Sequence, residues 1–348
     1  MNDSYSWTRM LDEFRSLGGV AQNVEQRIGQ YGNGIFPIDP SEPIAIEIPE
    51  PLLVDVDQIV LDGEDLVVKP ESAIANAARD FFARYQKHFS WGAEGRKNVD
   101  SFESALKTLP EPLLAKMRQL TLLNLEARHQ GQWIEVLRRR FLDSRKINYH
   151  ERAVSMPIIE LINHCAHSPG YSIGQGIKVA GTFDAEVTVN YSATCDSLRR
   201  FLNYGFANLE PYAYSLPLHV NIKDIGVIVV SSDVTSIRQV DGLGVPKVEL
   251  ENQRRVISHL RLALEKAPRM PRTMLRKALS DLPETVADEL FERFRNANLS
   301  ELCNLLELCE GVNTPIGSEL RRALLLQLRA LTHCFGVRTD LVGAAPQS

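Results

Sequence analysis

Cysteine is scarce in this sequence and follows no pattern. Its five cysteines (Cys165, Cys195, Cys303, Cys309 and Cys334) are odd in number, scattered over 348 residues and never arranged as C-x-x-C. That excludes a disulfide framework and a zinc ribbon, and no metal site is expected. Net positive charge is also lacking: 39 Lys and Arg face 44 Asp and Glu, for a formal charge of −5. No global attraction to phosphate backbones follows, so nucleic acid is not an expected partner. No apolar run reaches membrane-spanning length. The opening MNDSYSWTRMLDEF carries acids at Asp3, Asp12 and Glu13 in place of the apolar core of a secretory signal. These absences together predict a cytoplasmic location with reduced thiols and no membrane partner.

What is present is the composition of an ordinary globular protein, 44% hydrophobic and 24% charged. A chain of this length predicts one core with a large insertion, or two packed domains. From Gly18 to about Val68 the texture is short and β-like, with GGVAQNV, YGNGIF, PIAIEIP and LVV punctuated by glycine, proline and aspartate. From Glu71 to Arg145 the period changes, and Leu113, Leu114, Met117 and Leu120 fall on one helical face. β texture returns between Ala153 and Ile222. Beyond roughly Val245 a second helical region is expected, with Val256, Ile257, Leu260 and Leu264 on one face and Leu302, Leu305, Leu306 and Cys309 on another.

Charge in that last region is segregated. Lys247 to Lys277 holds nine basic residues against three acids, and Asp281 to Glu310 holds eight acids against two arginines. Such runs dock a partner, neutralise each other or are simply solvated.

Three separated segments carry side chains suited to chemistry. In Tyr31-Gly32-Asn33-Gly34-Ile35-Phe36, two glycines one residue apart permit positive φ and close backbone approach to a ligand, or a tight hairpin. Pro157 to Cys165 is an apolar run that ends abruptly in Asn163 and His164. An amide and an imidazole suit the edge of a purine ring, and equally the end of a helix with a satisfied core histidine. The third segment runs from Asp184 through Tyr191 to Ser197–Phe206, and places Tyr191 and Tyr204 after β-like and helix-like runs. Such tyrosines line a narrow channel or pack in a core.

In combination and order, these segments resemble the SET-domain protein methyltransferases, specifically the branch typified by the Rubisco large-subunit lysine methyltransferase. That branch shows a G-x-G loop, a helical insertion, an N-H pair after P-x-x-D-x-x-N-H, and a terminal Y-G-F. Here they read YGNGIF, PIIELINHC and SLRRFLNYGF. The likeness covers residues 14 to 222 and fits the branch's substrate-binding domain beyond them by position and texture. It implies an α+β fold in which SET-type short strands over residues 1–240 are split by a helical insertion at about 71–148. An all-helical C-terminal domain over 241–348 is implied to follow. The absence of metal-ligand spacing after Tyr204 sets the chain apart from SET enzymes closed by a zinc-binding cysteine cluster.

The resemblance implies S-adenosyl-L-methionine as cofactor and a protein substrate. It puts backbone groups of Asn33, Gly34 and Ile35 on the cofactor, Asn163 and His164 on its adenine side, and Arg139 on its methionine carboxylate. Tyr191 and Tyr204 match the tyrosines of the methyl-transfer channel, with Tyr204 the catalytic one. Phe141 matches an aromatic position of lysine-directed members, where a phenyl ring gives a lysine stem an apolar wall. Lysine is the implied acceptor. A histidine-directed enzyme and an inactive SET-like binding module are the alternatives. Three departures from the branch pattern stand out: Asp184-Ala185 in place of Gly-Glu, Glu160 in place of aspartate, and Ser192 in place of Gly or Asp.

Overall fold

The computed structural model describes residues 5–191, 195–223, 225–252 and 254–333, so Ser192 and Cys334 lie outside the described residues. The chain divides into two compact units, residues 1–104 with 129–192 and residues 105–128 with 193–348. This division differs from the sequence-based boundary at 240/241.

The first unit begins with helix α1 (Trp7–Ser16), whose Met10, Leu11 and Phe14 are buried at the i, i+1, i+4 spacing of one face. Seven strands follow: β1 (Val20–Gln22), β2 (Val24–Gly29), β3 (Gly32–Pro37), β4 (Ile44–Pro49), β5 (Val54–Asp55), β6 (Ile59–Asp62) and β7 (Asp65–Val68). Strict alternation in β4 buries Ile44, Ile46 and Ile48 and leaves Ala45 and Glu47 half-exposed. Each such isoleucine contributes about 1.5–3 kcal/mol by leaving water.

Helices then take over as α2 (Asn76–Phe89), α3 (Arg96–Leu106), α4 (Glu111–Gln119), α5 (Leu125–Arg128) and α6 (Trp133–Asp143), matching the helical block read from the sequence. Of these, α4 and α5 belong to the second unit. The first unit closes with β8 (Lys146–Tyr149), β9 (Arg152–Ser155), β10 (Asn163–His164), β11 (Ser172–Ile173), β12 (Gly176–Gly181) and β13 (Thr188–Val189). An antiparallel sheet of order β1-β4-β12-β11 joins the two ends of this stretch across the insertion, while β10 and β13 pair in parallel. Its core gathers Phe14, Ile35, Ile46, Ile48, Phe81, Ile158, Ile162, Val187 and Val189, and a separate cluster under α6 holds Val54, Ile59, Leu66, Trp91, Leu137 and Phe141.

The second unit continues with α7 (Ser197–Tyr204), β14 (Tyr212–Tyr214), β15 (Leu218–Ile222), β16 (Gly226–Val230), β17 (Ile237–Val240), β18 (Leu243–Pro246), β19 (Val248–Glu251), β20 (Arg254–Ile257) and β21 (Arg261–Leu264). It ends in α8 (Met270–Ala278), α9 (Glu284–Leu308) and α10 (Pro315–His333). The helical C-terminal region is present, but it starts at Met270. The helix expected from Val245 is corrected: Val256, Ile257 and Leu264 lie on strands, with Leu260 between two of them. The β-branched pair Val256-Ile257 favours a pleated surface, and β20 is paired on both sides, with β16 and β19.

The segregated charges largely neutralise one another within this unit. Arg276 pairs with Asp288 at 2.6 Å and Glu284 at 3.1 Å, Arg272 pairs with Glu292, and Arg255 pairs with Asp281 at 2.6 Å. Water screens pairs this exposed, so they add little to stability. No helix among the described residues is long and apolar enough to cross a membrane.

Candidate functional site

The glycine segment forms a hairpin in which β2 and β3 pair antiparallel, with Gly29 opposite Gly32 across the turn Gln30–Tyr31. The two glycines of G-x-G are needed for different reasons. Gly32 takes φ +91°, which side chains disfavour, in open space. At Gly34 the requirement is room: a Cβ there would stand 2.2 Å from Glu186 Oε1 and 3.0 Å from Asn163 Nδ2. The segment is therefore a hairpin, and what approaches Gly34 in it is a pair of side chains from this chain.

Two remote segments are laced onto that hairpin. Asn163 Nδ2 donates to the Asn33 carbonyl at 3.2 Å and to Glu186 Oε1 at 2.5 Å. Val187 N–H donates to the Ile35 carbonyl at 2.8 Å, and Cys165 N–H donates to the Val189 carbonyl at 3.0 Å. Asn190 adds a bond from its Nδ2 to the Ala166 carbonyl at 3.1 Å. The stretch Glu186–Asn190 thus runs between the hairpin and residues 163–169. Its alternation buries Val187 and Val189 and leaves Glu186, Thr188 and Asn190 half-exposed.

Asn163 and His164 are delivered by a strained 3-10 turn, Ile159–Leu161. Ile158 before it has φ +70°, rare for a β-branched residue and costing about 1–3 kcal/mol. Bonds around Glu160 oppose that cost. Its buried carboxylate accepts from Ser90 Oγ at 2.5 Å, Gln86 Nε2 at 3.0 Å and Ser155 Oγ at 3.3 Å. Burial pushes the Glu160 carboxyl up, against the pull of Arg145 and these donors. Burial and the neighbouring Glu160 also raise the Tyr85 phenol.

His164 is buried, and its Nδ1 accepts from Tyr191 N–H at 3.2 Å. In the neutral ring this leaves the proton on Nε2. The two rings lie 5.2 Å apart, and the Tyr191 hydroxyl donates to the Ile162 carbonyl at 2.7 Å.

The three consecutive arginines of α6 separate. Arg138 donates to Glu135 and to the Ile59 carbonyl, both at 2.7 Å, and Arg140 pairs with buried Glu103 at 3.1 Å. Arg139 lies on the exposed side of the helix. Arg145, which no sequence motif marks, sits over the Phe141 ring at 4.1 Å and acts electrostatically on Glu160 and Tyr85. Its Nε is buried with no partner among the described residues.

Phe141 packs in the hydrophobic cluster under α6, and this geometry lends no support to its expected role at the substrate. It is fully buried, edge-on to Trp91 at 5.1 Å, with Gly95 so near that a Cβ there would stand 2.5 Å from its ring. Long apolar residues on a helix fill cores far more often than they face ligands.

Tyr204 belongs to the second unit, at the end of α7, where Gly205 caps the helix in the left-handed conformation at φ +83°. Arg200, one turn earlier, is fully buried, paired with Glu210 at 3.0 Å, and places its guanidinium 5.3 Å from the Tyr204 ring. Burial and then the neighbouring Cys195 push the Tyr204 phenol up to about 12, against the pull of Arg200.

Two residues that the fold brings to these segments or to the turn before them were not singled out in the sequence, Glu186 and Arg145. The period-2 pattern of Glu186–Asn190 held the signal for the first; nothing in the run Arg138–Arg145 marks which arginine turns inward. No group of three or more His, Cys, Asp or Glu able to hold a metal is found among the described residues.

No family model matches the chain, and no curated protein matches it. Among solved structures it is similar to the SET domain of LSMT bound to lysine and AdoHcy, with 15% identity, TM-score 0.45, and coverage of 97% of this chain and 91% of that one. The same domain bound to methyl-lysine and AdoHcy gives 13% identity, TM-score 0.47, and coverage of 95% and 90%. Rubisco LSMT bound to AdoMet gives 11% identity, TM-score 0.43, and the same coverage of 95% and 90%. A likeness at that level fixes neither an activity nor an acceptor for this chain.

Proposed function

We propose that the chain is a SET-type methyltransferase that uses S-adenosylmethionine to modify a side-chain nitrogen of a protein, with lysine as the acceptor. One observation carries the reading. The Asn33–Ile35 and Asn163–Cys165 segments, which carry the first two SET-like motifs, are bonded to each other directly and through Glu186–Asn190, although Asn33 and Asn163 stand 130 residues apart. Motifs that co-occur by chance have no reason to meet in the fold.

The residues present suit the cofactor. Arg145 offers a guanidinium with an orphaned Nε, and a planar fork of donors matches the methionine carboxylate. Arg139, on the exposed side of α6, suits that contact less well, so the role passes to Arg145. Asn163 and His164 keep the adenine side, and Asn33, Gly34 and Ile35 keep the backbone contacts implied by the resemblance.

When bound, S-adenosylmethionine supplies an electrophilic methyl group on a positive sulfur. The protein's part is to align acceptor nitrogen, methyl carbon and sulfur and to exclude water. A lysine amine in water titrates at about 10.4 and must shed its proton first, which apolar surroundings and a neighbouring positive charge favour. Tyr204, raised to about 12, stays protonated at neutral pH. A protonated phenol does not act as a base, and the resemblance gives Tyr204 the orienting of the acceptor instead. With Phe141 in the core, the choice of lysine rests on the resemblance to a lysine-directed branch.

Calorimetry of the intact chain with S-adenosylmethionine tests the reading. Stoichiometric binding, weakened at least tenfold in the Asn163→Ala/His164→Ala variant, is expected. A folded wild type that binds none of it removes the assignment.

A further inference from the structure

Glu186 brings a half-buried carboxylate to the laced segments. Its carboxylate is seated over the β2–β3 hairpin by two glycines. A Cβ at Gly34 would stand 2.2 Å from Oε1, and one at Gly29 would stand 3.0 Å from Oε2. At Gly29 the Phe36 ring is nearer still, at 2.7 Å, so the room kept for this carboxylate is chiefly the room at Gly34. The hydrogen bond it receives comes from Asn163 Nδ2 at 2.5 Å. No cation pairs with it among the described residues. Arg27, cross-strand from Gly34, pairs with Glu25 at 3.0 Å and lies over Phe36 at 4.4 Å.

A half-buried carboxylate without a cation costs stability, because desolvation is not offset by attraction. The cost is visible in the direction of its ionisation: burial pushes the Glu186 carboxyl up, and Asn163 alone pulls it back. Room kept for such a group, next to the asparagine assigned to the cofactor, marks a place where positive charge arrives with a ligand.

We propose that Glu186 is the counter-charge for a positive centre of the methyl donor and gives the site its preference for adenosyl sulfur compounds that carry positive charge over those that carry none. This rests on the cofactor reading above. S-adenosylmethionine carries two positive centres, the sulfonium and the α-ammonium. S-adenosylhomocysteine keeps the ammonium alone, and 5′-methylthioadenosine keeps neither.

The test is calorimetry of these three compounds with the full-length wild type, Glu186→Gln and Glu186→Asp. The glutamine variant keeps the shape and the bond to Asn163 and loses the charge; the aspartate variant keeps the charge at shorter reach. In Glu186→Gln, affinity for S-adenosylmethionine is expected to fall at least tenfold, while 5′-methylthioadenosine changes less than twofold and so reports an intact adenosine site. Glu186→Asp should recover part of the loss. If S-adenosylhomocysteine weakens along with S-adenosylmethionine, the ammonium is the partner; if it behaves like methylthioadenosine, the sulfonium is. Equal weakening of all three compounds, or no weakening of any, overturns the proposal while leaving the cofactor reading in place. A folded wild type that binds none of the three overturns the cofactor reading, and the counter-charge with it.

Discussion

Gly34→Ala is the substitution whose effect follows most directly from the geometry. The added methyl would stand 2.2 Å from Glu186 Oε1 and 3.0 Å from both Asn163 Nδ2 and Glu186 Cδ. Ordinary contact needs well over 3 Å, so the carboxylate has to retreat by more than an ångström. That breaks the 2.5 Å bond it receives from Asn163. Hydrogen bonds to charged groups contribute about 1.5–3 kcal/mol, but a half-exposed carboxylate that swings out regains water, so the net loss is expected near 1 kcal/mol. At roughly 2–4 °C per kcal/mol, melting falls by only a few degrees. Cofactor affinity is the sensitive quantity, because Asn163 loses its anchor and Glu186 its seat, and a loss of at least tenfold is expected. Thermal unfolding and calorimetry on the same sample measure both effects. Glu186→Ala in the Gly34→Ala background removes the clash, and its melting cost should vanish there, giving a coupling of about 1 kcal/mol. Gly34→Ala with wild-type melting and wild-type affinity would refute the close approach on which the site is built.

Phe141→Asn should destabilise the protein by about 3–5 kcal/mol, as expected for truncating a fully buried phenylalanine, without moving methylation to histidine; chemical denaturation and mass spectrometry of the product check the two halves. Arg145→Met should weaken S-adenosylmethionine at least tenfold and Arg139→Met less than twofold, both read by calorimetry. Glu186→Gln should melt no lower than wild type at pH 7.5 without ligand. The raised folded-state ionisation of Glu186 means the fold holds its proton more tightly than the unfolded chain does. Stability from that group is therefore highest at acid pH, declines as pH rises through the window above about 4.3, and stays reduced above it. The advantage of the glutamine variant should accordingly disappear toward pH 4, as thermal scans across the range would show.

The sequence was most legible where one period ran without interruption. Alternating isoleucines announced β4, and the 3.6-residue spacing of Leu113, Leu114 and Met117 announced α4, because in each the buried face alone decides the element. It was least legible around Val256 and Ile257, where a helical face can be drawn through residues whose actual partners are strands β16 and β19, and pairing over distance overrides a local pattern. The glycines, Asn163, His164 and Tyr191 stood out through the order of their segments, each of which was ambiguous alone. Which of Arg138, Arg139 and Arg140 turns inward was not legible, since helical phase near a C-terminus depends on where the helix stops, and α6 ends at Asp143. Phe141 could not be told from a channel wall, because core and ligand-facing aromatics have the same sequence signature. Glu186 was overlooked beside Tyr191, although its alternation with Val187 and Val189 already turned it away from the core.

The central claim is methyl transfer to a protein nitrogen, and the most direct measurement is the fate of labelled methyl groups. Purified chain is incubated with methyl-labelled S-adenosylmethionine and protein extract from its own source, and labelled bands are digested and mapped by mass spectrometry. Label is expected on a lysine side chain, strongly reduced by Tyr204→Phe. Label on a histidine nitrogen would contradict the acceptor. A folded chain that binds S-adenosylmethionine yet labels no protein would contradict the transferase itself.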